Sequence, residues 1–286
     1  MSPTAADLVA QRDRTLVMGV VNVTPDSFSD GGEWFEPEAA IAHGRDLLAQ
    51  GADLIDIGGE STRPGAHRPS VEEELRRVIP VVDALTAEGA VVSIDTMRSA
   101  VARRAVDAGA ALVNDVSGGV ADPDMVPWVA GERLPFVAMH WRGHSVDMQT
   151  RAAYESVVED VIRELADRRD FLLEAGVDPG GLVLDPGLGF AKTGDHNWAL
   201  LAALPRLHEL GHPILVGASR KTFLGRVGLP GGASPRPAAE RDIETVATSV
   251  MAAMAGVWCV RVHDVASTAR AIAVVEAAVA HAPEEV

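Results

Sequence analysis

Short apolar runs rich in valine and isoleucine recur along the chain, at 16–23, 53–57, 91–94, 111–116, 136–140, 182–184, 213–216 and 257–262. Their length and β-branched content predict strands. Longer segments rich in Ala, Leu, Glu and Arg lie between them, with apolar positions at helical spacing. They predict helices at about 37–50, 72–87, 98–108, 122–131, 152–175, 196–209, 240–255 and 265–281. Each begins near Pro, Asp, Ser or Glu, and several end near Gly, as caps require. Eight strands alternating with eight helices predict a single closed (β/α)8 barrel over 14–286, after a flexible tail over 1–13. An open doubly wound sheet would usually carry fewer strands, and the first strand lacks its G-x-G-x-x-G turn. The Gly- and Pro-rich stretch 225–237 reads as a long loop rather than a domain linker, because the βα pattern continues on both sides.

The unusual polar residues fall at the carboxyl ends of these strands, the rim where barrels build their sites. The first strand ends in Asn22 and the second in Asp56-Ile57-Gly58-Gly59-Glu60. The third to fifth end in Asp95, Asn114-Asp115 and His140, and the last three in Asp185, Ser219-Arg220-Lys221 and Arg261-Val262-His263. Helix capping accounts for Asp, Asn and Ser at such places, but cations at a helix start oppose its dipole, so Lys221, Arg261 and His263 need another reason. Residues two apart on a strand share a face, so Arg261 and His263 point the same way and could form an anion pocket, with a structural pair between Arg261 and an acidic neighbour as the alternative. By the same rule only one of Asn114 and Asp115 faces the interior, and the pattern leaves open which. Asp95 and Asp185 could hold a metal, act as acid and base, or accept hydrogen bonds from a heterocycle. The loops 24–32 and 60–66 have the composition of lids or of plain turns.

Composition narrows the partners. Of 286 residues, 47% are hydrophobic and 23% charged, and the net charge of −16 disfavours nucleic acid and anionic membranes. An anionic substrate would need a local cationic cluster to overcome that field. The lone cysteine, Cys259, sits in a strand and cannot form an internal disulfide, and no signal-length or membrane-length apolar run occurs, so a cytoplasmic protein is expected. No zinc or EF-hand spacing is present. A magnesium ion shared with substrate phosphate, needing only one or two protein oxygens such as that of Asn22, remains compatible.

The stretches Asn22-Val23-Thr24-Pro25-Asp26-Ser27-Phe28-Ser29-Asp30-Gly31-Gly32, Asp56-Ile57-Gly58-Gly59-Glu60-Ser61-Thr62-Arg63-Pro64-Gly65, Asp185-Pro186-Gly187-Leu188-Gly189-Phe190-Ala191-Lys192 and Gly217-Ala218-Ser219-Arg220-Lys221 resemble the dihydropteroate synthase family, over about 16–276. The resemblance implies a folate-pathway transferase that joins 6-hydroxymethyl-7,8-dihydropterin pyrophosphate to p-aminobenzoate, is blocked by sulfonamides, uses Mg²⁺ and forms a homodimer. It implies a pterin pocket of Asp95, Asn114, Asp185 and Lys221, which decides for Asn114 over Asp115. It further implies a pyrophosphate site of Asn22, Arg261 and His263, with Asn22 on the metal. The p-aminobenzoate site would use Phe28, Thr62, Arg63, Pro64, Phe190 and Ser219, and the catalytic set would be Asp185, Lys221, Arg261 and His263. Two other readings are a non-catalytic pterin-binding paralogue and a methyltetrahydrofolate-handling barrel. Neither would need the pyrophosphate residues and both lids together.

Overall fold

The computed structural model describes residues 5–10, 13–24, 37–60, 68–143 and 148–282. A short helix, α1 (Ala5–Ala10), precedes the barrel. The repeating units are β1 (Leu16–Asn22), α2 (Pro37–Ala49), β2 (Leu54–Gly58), α3 (Val71–Ala87), β3 (Val92–Asp95), α4 (Ser99–Asp107), β4 (Leu112–Asp115) and α5 (Met125–Glu132). They continue with β5 (Phe136–Met139), α6 (Val157–Glu174), β6 (Leu182–Asp185), α7 (Gly194–Ala202), α8 (Leu204–Leu207), β7 (Leu215–Val216), α9 (Asp242–Met254), β8 (Cys259–Val262) and α10 (Val265–Ala280). All strands are parallel, in the order β6-β5-β4-β3-β2-β1-β8-β7, and a single bridge between Leu184 and Ile214 closes the ring. The expected (β/α)8 barrel is therefore the fold.

Strand alternation sorts the side chains into two cores. Val17, Val21, Ile55, Ile57, Val92, Ile94, Val113, Val260 and Val262 face outward and pack under the helices. Leu16, Met18, Leu54, Leu112, Val137, Val183, Leu215 and Cys259 face inward and fill the lower half of the barrel. A dry plug of this kind leaves only the carboxyl-end rim free for chemistry. Within the stretch expected to be a tail, α1 sends Val9 into this lower plug, where it is fully buried.

Three helix starts follow the expected cap chemistry. Ser70 accepts from the Glu73 amide at 3.2 Å, Thr193 forms a reciprocal capping box with His196, and Asp264 accepts from the Ser267 amide at 3.1 Å. The stretch expected at 196–209 divides into α7 and α8, where Pro205, lacking an N–H, sits in a first helical turn. The loop over 225–237 is tied across its base, with the Arg236 amide donating to the Gly225 carbonyl at 2.9 Å and the Arg241 Nε to the Arg236 carbonyl at 2.7 Å. No helix among the described residues is long and apolar enough to cross a membrane.

Candidate active site

Above the apolar plug, the next inward-facing positions are polar. Asp56, Ser93, Asn114, Asp185 and Arg261 replace the Val, Leu and Met of the lower layer. The register aligns Val20 with Asp56, Asp56 with Ser93, and Asp95 with Asn114. Arg261 joins these strands. Its Nε donates to Asp56 Oδ2 at 2.6 Å and its Nη2 to Asp95 Oδ2 at 2.8 Å. Asn114 adds a third contact, its Nδ2 donating to Asp56 Oδ2 at 3.0 Å. The open choice at β4 is thereby resolved: Asn114 faces the mouth, whereas buried Asp115 turns into its own loop and accepts from the Ser117 amide and hydroxyl, both at 2.7 Å, and the Gly119 amide at 3.0 Å.

The other wall comes from the loops after β6, β7 and β8. Asp185 is buried and accepts from the Gly187 amide at 2.6 Å. Gly187 adopts φ +66°, and a Cβ there would lie 2.5 Å from the His140 carbonyl oxygen, so this tight turn requires glycine. Lys221 donates to the Leu188 carbonyl, and its Nζ lies 4.7 Å from the centre of the Phe190 ring. Arg220 before it is left-handed at φ 57°. That turn is held by the Thr245 hydroxyl at 3.1 Å from its amide and by an ion pair from its side chain to Asp242 at 2.7 Å. This inversion returns Lys221 to the mouth. Ser219 accepts from the His263 amide at 3.2 Å and shares a 2.9 Å hydrogen bond with His263 Nδ1. Asn22 ends β1, half-buried, in register with Gly58 of β2.

Burial dominates the electrostatics. It pushes the Asp95 carboxyl up, to about 7, against the pull of Arg261 and with help from the Asp56 charge. Asp185 is also raised by burial, opposed by Lys221. Burial lowers the Lys221 ammonium to about 8 while Asp185 supports its charge. Asp185 and Lys221 sense each other and Arg261, and Lys221 also senses Asp95.

Of the expected site residues, Asp95, Asn114, Asp185, Lys221, Arg261, His263, Ser219, Phe190 and Asn22 all lie at this end of the barrel. Phe28, Thr62, Arg63 and Pro64 lie outside the described residues, as does most of both expected lids. Arg261 is not a bare anion receptor, since two acidic neighbours already hold it, which is the structural pair weighed as the alternative. The sequence places Asp56 among the polar residues ending the second strand but assigns it no role. Its signal was present: in Leu54-Ile55-Asp56-Ile57-Gly58, Asp56 shares the inward face with Leu54. A second group given no role by the sequence adjoins Phe190. Buried Lys192 donates to the Phe190 carbonyl at 3.1 Å and approaches His140 Nδ1 at 3.0 Å, and His140 Nε2 meets Glu164 at 2.9 Å. Burial, with Lys192 nearby, holds His140 down to about 4, so its neutral ring donates to Glu164 and accepts from Lys192.

Comparison with known proteins agrees with this geometry. The family described as pterin binding enzyme matches residues 18–263. A dihydropteroate synthase of Mycobacterium leprae is 53% identical over 262 residues, covering 91% of this chain and 92% of the relative. A Xanthomonas albilineans dihydropteroate synthase solved with 4-aminobenzoic acid superposes with a TM-score of 0.86 at 46% identity, covering 95% of this chain and 96% of that one. The same organism's enzyme in complex with 7,8-dihydropteroate gives 0.83 at 44% identity, covering 96% and 98%. The fold and site thus define a pterin-binding barrel enzyme. The chain belongs to the dihydropteroate synthase family, transferases of folate synthesis.

The raised Asp95 carboxyl makes a testable link to stability. The folded protein keeps the Asp95 proton up to about pH 7, whereas the unfolded chain releases it near 3.8. Its stabilising contribution is complete below the unfolded value and fades as pH rises through about 7. Denaturant unfolding of wild type and Asp95→Asn at stepped pH should show an extra fall across this window in wild type alone. Parallel curves would refute it.

Proposed function

We propose that the chain condenses 6-hydroxymethyl-7,8-dihydropterin pyrophosphate with p-aminobenzoate, releasing pyrophosphate and 7,8-dihydropteroate. One observation carries this reading: acceptors on Asp95, Asn114 and Asp185 and a donor on Lys221 converge on a single mouth above an apolar plug. A reduced pterin presents N–H donors and one carbonyl along its edge, and a deep pocket must oppose them with acceptors and a cation. Asp185, Asn114 and Asp95 take the donors and Lys221 takes the carbonyl.

Arg261, His263 and Asn22 face the diphosphate. Two of the Arg261 donors are committed to Asp56 and Asp95, and the rest remain for phosphate oxygens. Asp56 and Asp95 hold Arg261, so part of its charge is already engaged before an anion arrives. No three His, Cys, Asp or Glu side chains among the described residues gather as a resident metal cage. This donor set fits a magnesium ion carried in on the diphosphate, with the Asn22 amide oxygen as its protein contact. When bound, the ion would neutralise charge on the leaving group.

The C–O bond from the pterin methylene to the diphosphate breaks, the ring spreads the resulting positive charge, and the aniline nitrogen attacks the methylene and then loses a proton. No covalent intermediate is needed, and the protein contributes positioning and fixed charge. Phe190 and Ser219, with Phe28, Thr62, Arg63 and Pro64 from the lid segments, receive the aminobenzoate. The non-catalytic reading gains nothing from any residue described. A cytoplasmic site of action is consistent with the lone buried thiol of Cys259. We further propose a homodimer through α9 and α10, where Met254, Val274 and Met251 lie 75%, 69% and 43% exposed.

Purified protein with both substrates and Mg²⁺ should form dihydropteroate and pyrophosphate, and a sulfonamide should compete with p-aminobenzoate. No product, or inhibition indifferent to p-aminobenzoate, would sink the reading. Replacing Lys221 by Ala should remove about 2–4 kcal/mol of transition-state stabilisation, the loss of one charge-assisted bond in a closed site; an unchanged kcat/KM contradicts its role. For the dimer, sedimentation should give twice the chain mass and Met254→Asp should lower it, whereas a monomeric wild type would dismiss that interface.

A further inference from the structure

We infer that Asp56 is a positioning residue that makes Asn114 present its carbonyl oxygen, and not its amide N–H, to the pterin edge; this rests on the proposed function. Asp56 is wholly buried on the inward face of β2. Its Oδ2 accepts two hydrogen bonds, from Asn114 Nδ2 at 3.0 Å and Arg261 Nε at 2.6 Å. An asparagine amide can turn over and exchange its donor for its acceptor at little cost in shape. A carboxylate beside it removes that freedom, because the turned amide would set oxygen against oxygen. Asn114 therefore keeps Nδ2 toward Asp56 and leaves its oxygen as the acceptor for a ring N–H. The same carboxylate oxygen fixes the Arg261 fork, whose Nη2 reaches Asp95 at 2.8 Å, so one buried group orients two of the residues that face the substrate.

Asp56 is poorly explained as a stabilising residue. Its second oxygen, Oδ1, is buried without a hydrogen-bond partner, and Ser93 Oγ, on its register neighbour, is in the same condition. Buried unsatisfied polar atoms cost stability, and proteins concentrate them where function requires the group. Asp56 is distinct from the residues assigned to touch substrate, since its contacts run to Asn114 and Arg261.

A double-mutant cycle read by calorimetry with 6-hydroxymethylpterin, and separately by the KM for p-aminobenzoate, tests the inference. Asp56→Leu keeps the branched shape but removes the acceptor, frees Asn114 to turn, and should weaken pterin binding about tenfold, the loss of one well-placed hydrogen bond. The p-aminobenzoate KM should move little. Asn114→Asp alone sets two carboxylates in contact and should also weaken pterin. Added to Asp56→Leu, the same change should strengthen it, because a carboxylate offers an oxygen whichever way it turns. Reversal of the sign of Asn114→Asp between the two backgrounds is the expected result. Additive losses, or Asp56→Leu binding pterin as wild type does, would overturn the inference while leaving the synthase reading intact; a wild type that binds no pterin would overturn that reading instead. If Asp56→Leu does not fold, nuclear magnetic resonance of the unmutated protein decides. The Asn114 amide protons should be protected from exchange, and free exchange refutes the bond.

Discussion

The pairing of Arg261 with Asp56 and Asp95 is the constraint around which the catalytic end is arranged. An ionised carboxylate on the inner wall of a barrel loses most of its hydration and is tolerable only beside a compensating charge with good geometry. Arg261 supplies that for two carboxylates on neighbouring strands, and Asn114 supplies a further donor. The arrangement leaves few idle donors. It suits an incoming ring that brings its own N–H groups, as the proposed function requires. Removing any one member strands the others in a water-poor setting, so effects of substitution here should be strongly non-additive.

The opposite wall is built on the weakest seam of the sheet. β7 has two ladder residues, and one bridge, Leu184 to Ile214, joins it to β6. Asp185 and the Lys221 segment emerge on either side of that seam. Short pairing there is offset by loop chemistry: glycine at Gly187, the inverted Arg220 tied to Asp242, and the Lys221 bond to the Leu188 carbonyl. The strained backbone positions Ala191 and Arg220 both flank this wall. Such strain persists where surrounding bonds over-determine it, and here it aims one ammonium group at the mouth.

Most of the barrel was legible from hydrophobic period alone, because each strand buries apolar residues under the helices and several helices carry caps that punctuate them. All eight strands fall within about two residues of their expected positions. The rim residues were legible because Lys221, Arg261 and His263 contradict the dipole of the helices they precede. What the pattern could not reveal was pairing. Arg261 and Asp56 are separated by 205 positions along the chain, so their contact exists only after the barrel closes. A short apolar run containing Asp56 looks like any buried strand with one polar interruption, and only the register across β1, β2 and β3 shows that the interruption is the floor of the mouth.

The Lys192 group shows the same limit at a second remove. In sequence, Lys192 ends a glycine-rich loop, His140 ends a strand, and Glu164 lies within a helix, with nothing to connect them. Folded, they form a chain running from buried Lys192 and His140 to half-buried Glu164, in which burial draws the Lys192 ammonium down to about 7 and hydrogen bonds from His140 and Arg142 hold Glu164 at about 2 despite its partial burial. Lys192 also grips the Phe190 carbonyl, and the Phe190 ring lies beside Lys221. The charge on Lys192 is thereby coupled to the placement of two residues that the proposed function sets against substrate. In a barrel whose loops carry the chemistry and whose strands carry the stability, such buried connections behind the rim are what give short, strained loops the rigidity that electrostatic catalysis demands.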